Sequence, residues 1–312
     1  MRILFAGSPE FAVPSLVALQ KAFPITAVLT NPDRPAGRGK QPVATPVKQQ
    51  ALALDLPVFQ PRALDAPFLQ QVRALQPELL VVVAFGRIFG KDFLGLFPRG
   101  GVNLHASLLP KYRGPSPITA AILSGETRTG VTVQKLALKM DAGDILGTRS
   151  LPLNGQETTG SLFPVLAEMG AGLLPTILME LEQGRISPVA QDESKASYCR
   201  LVNKEDGEID WNVDAGMIER MIRAYDPWPR AFTTWAGRRL NILAGGVYPQ
   251  SVDTRGKKRG LVLAVDNRYG ILVNTGGGVL HLSRLQLQAR KPLDWRSFLN
   301  GQKDFIGAQL GE

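Results

Sequence analysis

The sequence predicts an α/β fold, a mainly parallel sheet with crossover helices, followed by a small β-barrel. Three observations predict it. Strand-like runs recur in the first half of the chain, at 2–7, 25–30, 79–85 and 101–107, the first three predominantly apolar. Segments with apolar residues at helical spacing lie between them. After about residue 185 the texture turns polar and then into short runs punctuated by glycine. Strands that are apolar throughout, not alternating, are those buried on both faces, as in parallel sheets covered by helices.

Taken in order, "RILFAG" (2–7) is a short apolar run closed by Gly7 and reads as a buried strand. "PEFAVPSLVALQKA" follows, with Phe11, Leu16, Leu19 and Ala22 on a helical stripe. "ITAVLT" (25–30) is the second strand, and "VKQQALAL" and "DAPFLQQVRAL" read as helices. "LLVVVAF" (79–85) is the strongest strand signal, and "GVNLHAS" (101–107) is another. Strands alternating with helices give a Rossmann-like sheet. "RISPVAQDESKASYCRLVNKEDGEID" reads as a linker, and a short amphipathic helix is expected near 213–225. "AFTTWAG", "RLNILAGG", "RGLVLAVD" and "YGILVNTGGGVLHLSRLQL" are strand-like runs with tight turns, which argue for a small β-barrel or sandwich, of which an OB-like barrel is the expectation.

Composition removes some functions. Two nucleotide-binding patterns fail on spacing. The first strand runs into "AGSPEF", not G-x-G-x-x-G, and "GRGK" at 37–40 lacks the preceding glycine and following hydroxyl of a P-loop. No run of apolar residues is long enough to suggest a membrane span, and the opening "MRILFAGSPEF" is too short for a signal peptide. A single cysteine, Cys199, cannot form an internal disulfide, which fits a reducing cytoplasm. The net charge of +9 and pI near 9.8 make a polyanion a candidate partner.

The chemistry centres on "NLHASLLPKYRG" at 103–114, which holds one of only two histidines. A period of two puts Asn103 and His105 on one face of a strand end, with Leu104 turned to the core. Open α/β sheets bind ligands beyond the carboxyl ends of their strands. An amide donor beside an imidazole suits an acyl oxygen that gains negative charge. In "MDAGDIL", Asp141 precedes a small-residue turn, where a carboxylate could orient an imidazole and move protons; Asp144 reads as a turn residue. Ser107 lacks a nucleophile elbow and Cys199 is remote in sequence, so no covalent mechanism is completed. One histidine among scattered carboxylates makes no zinc spacing. Direct transfer between two bound substrates remains.

"NLHASLLPKYRGPSPI" together with "MDAGDIL" resembles the signature of the folate-dependent formyltransferases. The "NPDRPAGRGKQPVATPVK" loop, "DPWPRAF" at 226–232 and the basic β-rich tail extend the resemblance over nearly the whole chain. It implies transfer of a formyl group from 10-formyltetrahydrofolate, as co-substrate and without a metal, to the amino group of methionine on initiator methionyl-tRNA. It implies catalytic roles for Asn103, His105 and Asp141. Folate contacts fall on Ser107, Leu108, Leu109 and Pro110 and on Arg87, Ile88 and Phe89. Arg34, Arg38 and Lys40, in a loop made pliant by Gly37 and Gly39, fall on tRNA. The expected domains are a catalytic one over 1–188, a linker over 189–205 and a tRNA-binding barrel over 206–312, in a cytoplasmic monomer. Other readings are formylation of glycinamide ribonucleotide or a sugar nucleotide, hydrolysis of formyltetrahydrofolate, and a non-catalytic RNA-binding module.

Overall fold

The structure is a computed structural model that describes residues 1–36 and 41–312. The chain folds into two compact units. The first comprises Met1–Pro117, Arg128–Pro152 and Leu162–Arg200, and the second Ile118–Thr127, Leu153–Ser161 and Leu201–Glu312.

The first unit holds β1 (Ile3–Gly7), α1 (Val13–Ala22), β2 (Ile25–Leu29), β3 (Arg34–Ala36), β4 (Gln41–Val43) and α2 (Pro46–Ala53). They are followed by β5 (Val58–Phe59), α3 (Ala66–Ala74), β6 (Leu79–Val83), α4 (Lys91–Leu94) and β7 (Gly101–His105). After α5 (Pro117–Leu123) come β8 (Arg128–Lys135), β9 (Ile145–Pro152) and α6 (Thr159–Glu182). Seven strands form one sheet in the order β5-β2-β1-β6-β7-β8-β9. It is parallel as far as β7 and antiparallel beyond it. The helix starts are written locally. Thr45 and Asp65 cap α2 and α3 by accepting from Lys48 N and Phe68 N, and proline follows in the first turn of each.

One face of the sheet buries Leu4, Ala6, Ala27, Leu29, Leu80 and Val82 against Phe68 and Val72 of α3. Phe85, Phe89, Phe93 and Phe97 continue this core, with successive ring centroids 5.4, 5.0 and 5.5 Å apart. Such pairs add about 0.5–1.5 kcal/mol each beyond area burial, so the 85–97 segment is fixed by its own rings. Helix α6 is long and apolar enough to cross a membrane by length and composition alone. Here it packs as a core helix. Leu162, Leu166, Leu174 and Leu178 are buried, and a Cβ on Gly170 would lie 2.4 Å from Leu104 Cδ2. The missing side chain lets the helix sit directly beneath β7.

The second unit contains α7 (Ala215–Ala224), β10 (Ala231–Trp235), β11 (Arg238–Val247), β12 (Val262–Asp266), β13 (Gly270–Asn274), β14 (Val279–Leu287), β15 (Leu293–Asp294) and α8 (Trp295–Gly301). Its antiparallel sheet runs β10-β11-β14-β13-β12, with β15 added on β14. No ladder joins β10 to β12 among the described residues. Residues 307–311 bond to both edges instead. Val262 N donates to Ala308 O at 2.9 Å, Leu310 N to Gly260 O at 3.0 Å and Gly311 N to Thr234 O at 2.9 Å. The barrel expected from the sequence is therefore an antiparallel sheet whose two edges a terminal segment ties together. Trp235, Phe298 and Phe305 pack at its centre with Trp211, whose Nε1 donates to Thr233 Oγ1 at 3.0 Å.

Candidate active site

Strand β7 delivers Asn103 and His105 together, as the period of two requires, while Leu104 is buried beneath them. The neighbouring β8 places Gln134 opposite Asn103 and Thr132 opposite His105. Asp141 arrives from the turn after β8. Its Oδ1 accepts from Asn103 Nδ2 at 3.3 Å and from Gln134 Nε2 at 3.0 Å, and its Oδ2 accepts from Gly114 N at 2.8 Å. His105 Nδ1 lies 3.7 Å from the same Oδ2. That is beyond hydrogen-bond length and becomes a charge interaction only when the imidazole is protonated. The three residues that the sequence singled out thus converge on one carboxylate.

The other imidazole nitrogen is committed. His105 Nε2 sits 2.9 Å from the carbonyl oxygen of Tyr112, and a carbonyl can only accept, so Nε2 carries a hydrogen and donates it. Nδ1 is then the nitrogen that faces Asp141. This divides roles that the sequence left joined. An Nε2–H already given to Tyr112 is not offered to a substrate oxygen. Asn103, half-buried, bonds Asp141 through Nδ2, which has a second hydrogen for an incoming acceptor.

Two residues that frame His105 have left-handed backbones, Tyr112 at φ 59° and Asp141 at φ 50°. For side chains of this kind the conformation costs roughly 1–2 kcal/mol each and persists only where surroundings enforce it. The turn after Asp141 needs glycine for a different reason. A Cβ on Gly143 would sit 1.8 Å from the Lys135 carbonyl oxygen, so the chain closes against β8 only without one.

The positions that the sequence resemblance links to folate separate into two groups. Ser107 is fully buried, and its Oγ donates to Lys111 O at 2.6 Å. Leu109 N donates to Thr132 Oγ1, which donates in turn to Ser107 O, so 107–110 is laced to β8. Leu108 and Pro110 are half-buried on this loop. Beyond β6, Phe89 is buried in the aromatic row, while Ile88 is 76% exposed. The Arg87 side chain is a strut. It donates to Pro61 O at 2.9 Å and Arg62 O at 3.3 Å and lies over the Phe85 ring. Arg34 is exposed on β3, and Arg38 and Lys40 lie outside the described residues.

Several site residues carry no role in the sequence reading. Gln134 is buried on β8 beside the equally buried Thr132, and an amide side chain inside "GVTVQK" is the signal that could have flagged it. Arg113 lies inside the quoted motif, yet nothing in one dimension says that its guanidinium is completely buried. It donates to Gln191 Oε1 through Nε at 3.0 Å and Nη2 at 2.8 Å, to Glu193 Oε1 at 2.7 Å and to Tyr198 Oη at 3.0 Å. All three partners come from the polar stretch after α6. Those residues are polar because they clothe a buried cation. Asn31 similarly ties strand ends together, donating to Phe85 O and Ser8 Oγ.

Arg113 and then Lys139, which lies 2.8 Å from Glu193 Oε2, hold the Glu193 carboxyl down at about 2. The sign follows from linkage. A carboxyl depressed in the folded state contributes stability that is complete above its ordinary value of 4.5 and fades as pH falls toward 2. Glu193→Gln should therefore melt below the parent at neutral pH, and the gap should close as pH drops from about 5 to 3. Thermal melts of both proteins across that range check it, and a constant gap would mean that the carboxylate charge contributes nothing.

Comparison with known proteins agrees with this architecture. A family model described as "Formyl transferase" matches residues 1–178, and one described as "Formyl transferase, C-terminal domain" matches 201–303. The chain is 44% identical to a methionyl-tRNA formyltransferase of Treponema denticola over 98% of each chain. It is 47% identical to that of Roseiflexus castenholzii over 95% of each. Solved structures share the fold at lower identity. A methionyl-tRNA formyltransferase from Clostridium thermocellum aligns over 80% of this chain and 95% of its own, at 20% identity and TM-score 0.53. WlaRD, a sugar 3N-formyl transferase, aligns over 93% and 99%, at 17% identity and TM-score 0.66. HypX from Aquifex aeolicus in complex with tetrahydrofolic acid aligns over 98% of this chain, at 18% identity and TM-score 0.60, and the chain spans about half (48%) of its length. Near-full-length identity in both units, on a sheet that gathers Asn103, His105 and Asp141 at one end, means that this chain belongs to the methionyl-tRNA formyltransferase family.

Proposed function

We propose that this chain transfers the formyl group of 10-formyltetrahydrofolate to the amino group of methionine on initiator methionyl-tRNA, for translation initiation. The observation that carries the reading is the convergence of Asn103 and His105 on the Asp141 carboxylate at the carboxyl end of β7. No activated nucleophile among the described residues stands with them to form an acyl-enzyme, although Cys199 is close, its Sγ donating to Tyr112 O at 3.6 Å and Arg113 O at 3.4 Å. Ser107 is buried on Lys111, and burial pushes the Cys199 thiol up, away from thiolate. Transfer is then direct.

The methionine amine attacks as the free base. Its lone pair forms the new C–N bond while the carbonyl pair moves onto the formyl oxygen. Asn103 offers its free amide hydrogen to that oxygen as charge develops. The proton leaving the amine passes to the Asp141–His105 pair, with Asp141 held in place by Gln134 and Gly114. It is returned to the departing folate nitrogen as the old C–N bond breaks, which leaves formylated methionine and tetrahydrofolate. Arg87–Phe89 and Ser107–Pro110 would hold the folate. The fit rests on an exposed apolar Ile88 above a backbone that Phe89 anchors, which suits a flat ring read by main-chain groups.

Charge supports an RNA acceptor. Arg34 is exposed, Arg38 and Lys40 belong to the same cationic loop, and a second cluster lies at 255–259. In that cluster Arg255 is paired with Asp253 at 2.9 Å and Lys258 lies 3.7 Å from Glu312. Lys257 and Arg259 form no ion pair among the described residues, and Asn274 pins the loop by donating to Lys257 O and Lys258 O. Replacing Lys257 and Arg259 by alanine should weaken tRNA binding and lower the salt slope by roughly 0.7–0.9 for each phosphate no longer neutralised, with kcat at saturation unchanged. Binding titrations at several salt concentrations measure it, and an unaltered slope excludes the cluster from the RNA surface. The protein works in this reading as a cytoplasmic monomer. The deciding assay supplies 10-formyltetrahydrofolate with initiator methionyl-tRNA, glycinamide ribonucleotide, an amino-sugar nucleotide or water alone. Formyl transfer confined to the tRNA is expected, and preference for any other acceptor overturns the proposal.

A further inference from the structure

We infer that Gln191 and Ser197, from the polar stretch after α6, are positioning residues that hold both sides of the His105 imidazole in place. The inference rests on the functional reading above and deepens it. Tyr112 carries the carbonyl that receives His105 Nε2, and Asp141 carries the carboxylate that faces Nδ1. Both have left-handed backbones, at φ 59° and 50°, a region that Tyr disfavours and Asp tolerates at smaller cost. Something outside each turn must hold it there.

One segment reaches both. Gln191 Nε2 lies 2.9 Å from Asp141 O, 2.7 Å from Gly143 O and 3.1 Å from Gln134 Oε1, so its two hydrogens are shared among three oxygens around the Asp141 turn. Its Oε1 is filled by the buried Arg113, at 3.0 and 2.8 Å, which fixes the amide's orientation. Ser197 works on the other turn. Its Oγ accepts from Tyr112 N at 2.9 Å, its carbonyl accepts from Arg113 N at 2.8 Å, and its N donates to Pro110 O at 3.3 Å. Both side chains therefore act through a backbone on which the chemistry of another residue depends. Arg113 links the two clamps. It bonds Gln191 through its side chain and Ser197 through its amide, so a change in one turn is felt in the other.

The test uses the full chain and a substitution that separates holding the fold from holding the site. Gln191→Glu keeps the size of the side chain and an oxygen for Arg113 but removes the amide hydrogens given to Asp141 O and Gly143 O. Outer partners of this kind typically alter activity by about 10–100-fold. The expected result is a kcat lowered by about that factor, with KM for folate and tRNA within about twofold and a melting temperature only modestly lowered, since the new carboxylate keeps Arg113 but faces three oxygens. Ser197→Ala, which keeps every backbone tie and loses only the acceptor for Tyr112 N, should show the same split more weakly. It decides the matter if the first variant does not fold. Ring-nitrogen NMR of His105, with His281→Gln to identify the second histidine, gives a readout independent of turnover. Its resonances should move in each folded variant. Unmoved resonances or parental kcat in folded variants overturn the inference. A parent that formylates no tRNA while the His105 resonances still respond would instead remove the functional reading and leave the clamp standing.

Discussion

Replacing Asn103 by alanine should lower kcat by about 10²–10³, close to 3–4 kcal/mol of transition-state stabilisation, with little change in folate affinity. The size follows from what the side chain can do at its position. Its Nδ2 spends one hydrogen on Asp141 Oδ1 at 3.3 Å, a long bond, and has a second hydrogen to give. The other natural donor, His105 Nε2–H, is already given to Tyr112 O. In the proposed mechanism the forming oxyanion therefore relies on the Asn103 amide. Folding should be nearly unaffected, because the residue is half-buried at a strand end and its backbone remains in the β7 ladder between Val82 and Gln134. Steady-state kinetics with folate and tRNA varied separately measure the split. A folded variant that turns over like the parent excludes the oxyanion role, and a raised folate KM with kcat intact would make Asn103 a binding residue.

Asp141→Asn should cost about 10²–10⁴ in kcat, the usual worth of a positioned proton acceptor, and should change the pH–rate profile. Asparagine is the informative replacement. It tolerates the left-handed region that φ 50° requires, so the turn is not broken for backbone reasons. It removes the charge that faces His105 Nδ1 at 3.7 Å. It also turns one oxygen into a donor, while Asn103, Gln134 and Gly114 all present hydrogens to this group. One of those pairings then becomes donor against donor, so a modest loss of thermal stability should accompany the kinetic one. A variant with parental rate and pH profile would reduce Asp141 to a turn residue.

The parts that could be read in one dimension are those governed by neighbouring residues. Apolar runs marked β1, β2 and β6, because a strand buried on both faces has no reason to alternate. The period of two put Asn103 and His105 on one face, and the register of β7 between β6 and β8 bears this out. The reading of residues after 185 as a linker missed their packing. Gln191, Glu193 and Tyr198 are polar because each meets Arg113 in the first unit, a relation spanning some 80 residues of chain. No local pattern separates such a residue from one facing solvent. How the β-rich unit closes was not legible for a similar reason. Short strands and tight turns specify an antiparallel sheet, but whether its edges meet depends on how 307–311 bonds to Gly260, Val262 and Thr234.

By itself the sequence determined the strands β1, β2, β6 and β7 with the helices between them, the β-rich second half, the face that Asn103 and His105 share, the cationic character of 34–40 and 255–259, and the family. Each is a matter of composition, periodicity or contiguous motif. Only the tertiary structure decided that Asp141 stands between Asn103 and His105, that Tyr112 O takes up Nε2, and that Arg113 is buried on Gln191 and Glu193. Those facts rest on hydrogen bonds between residues far apart in the chain. Their strength comes from burial, which a linear sequence does not display, and their geometry from two left-handed turns that neither Tyr112 nor Asp141 would adopt unsupported.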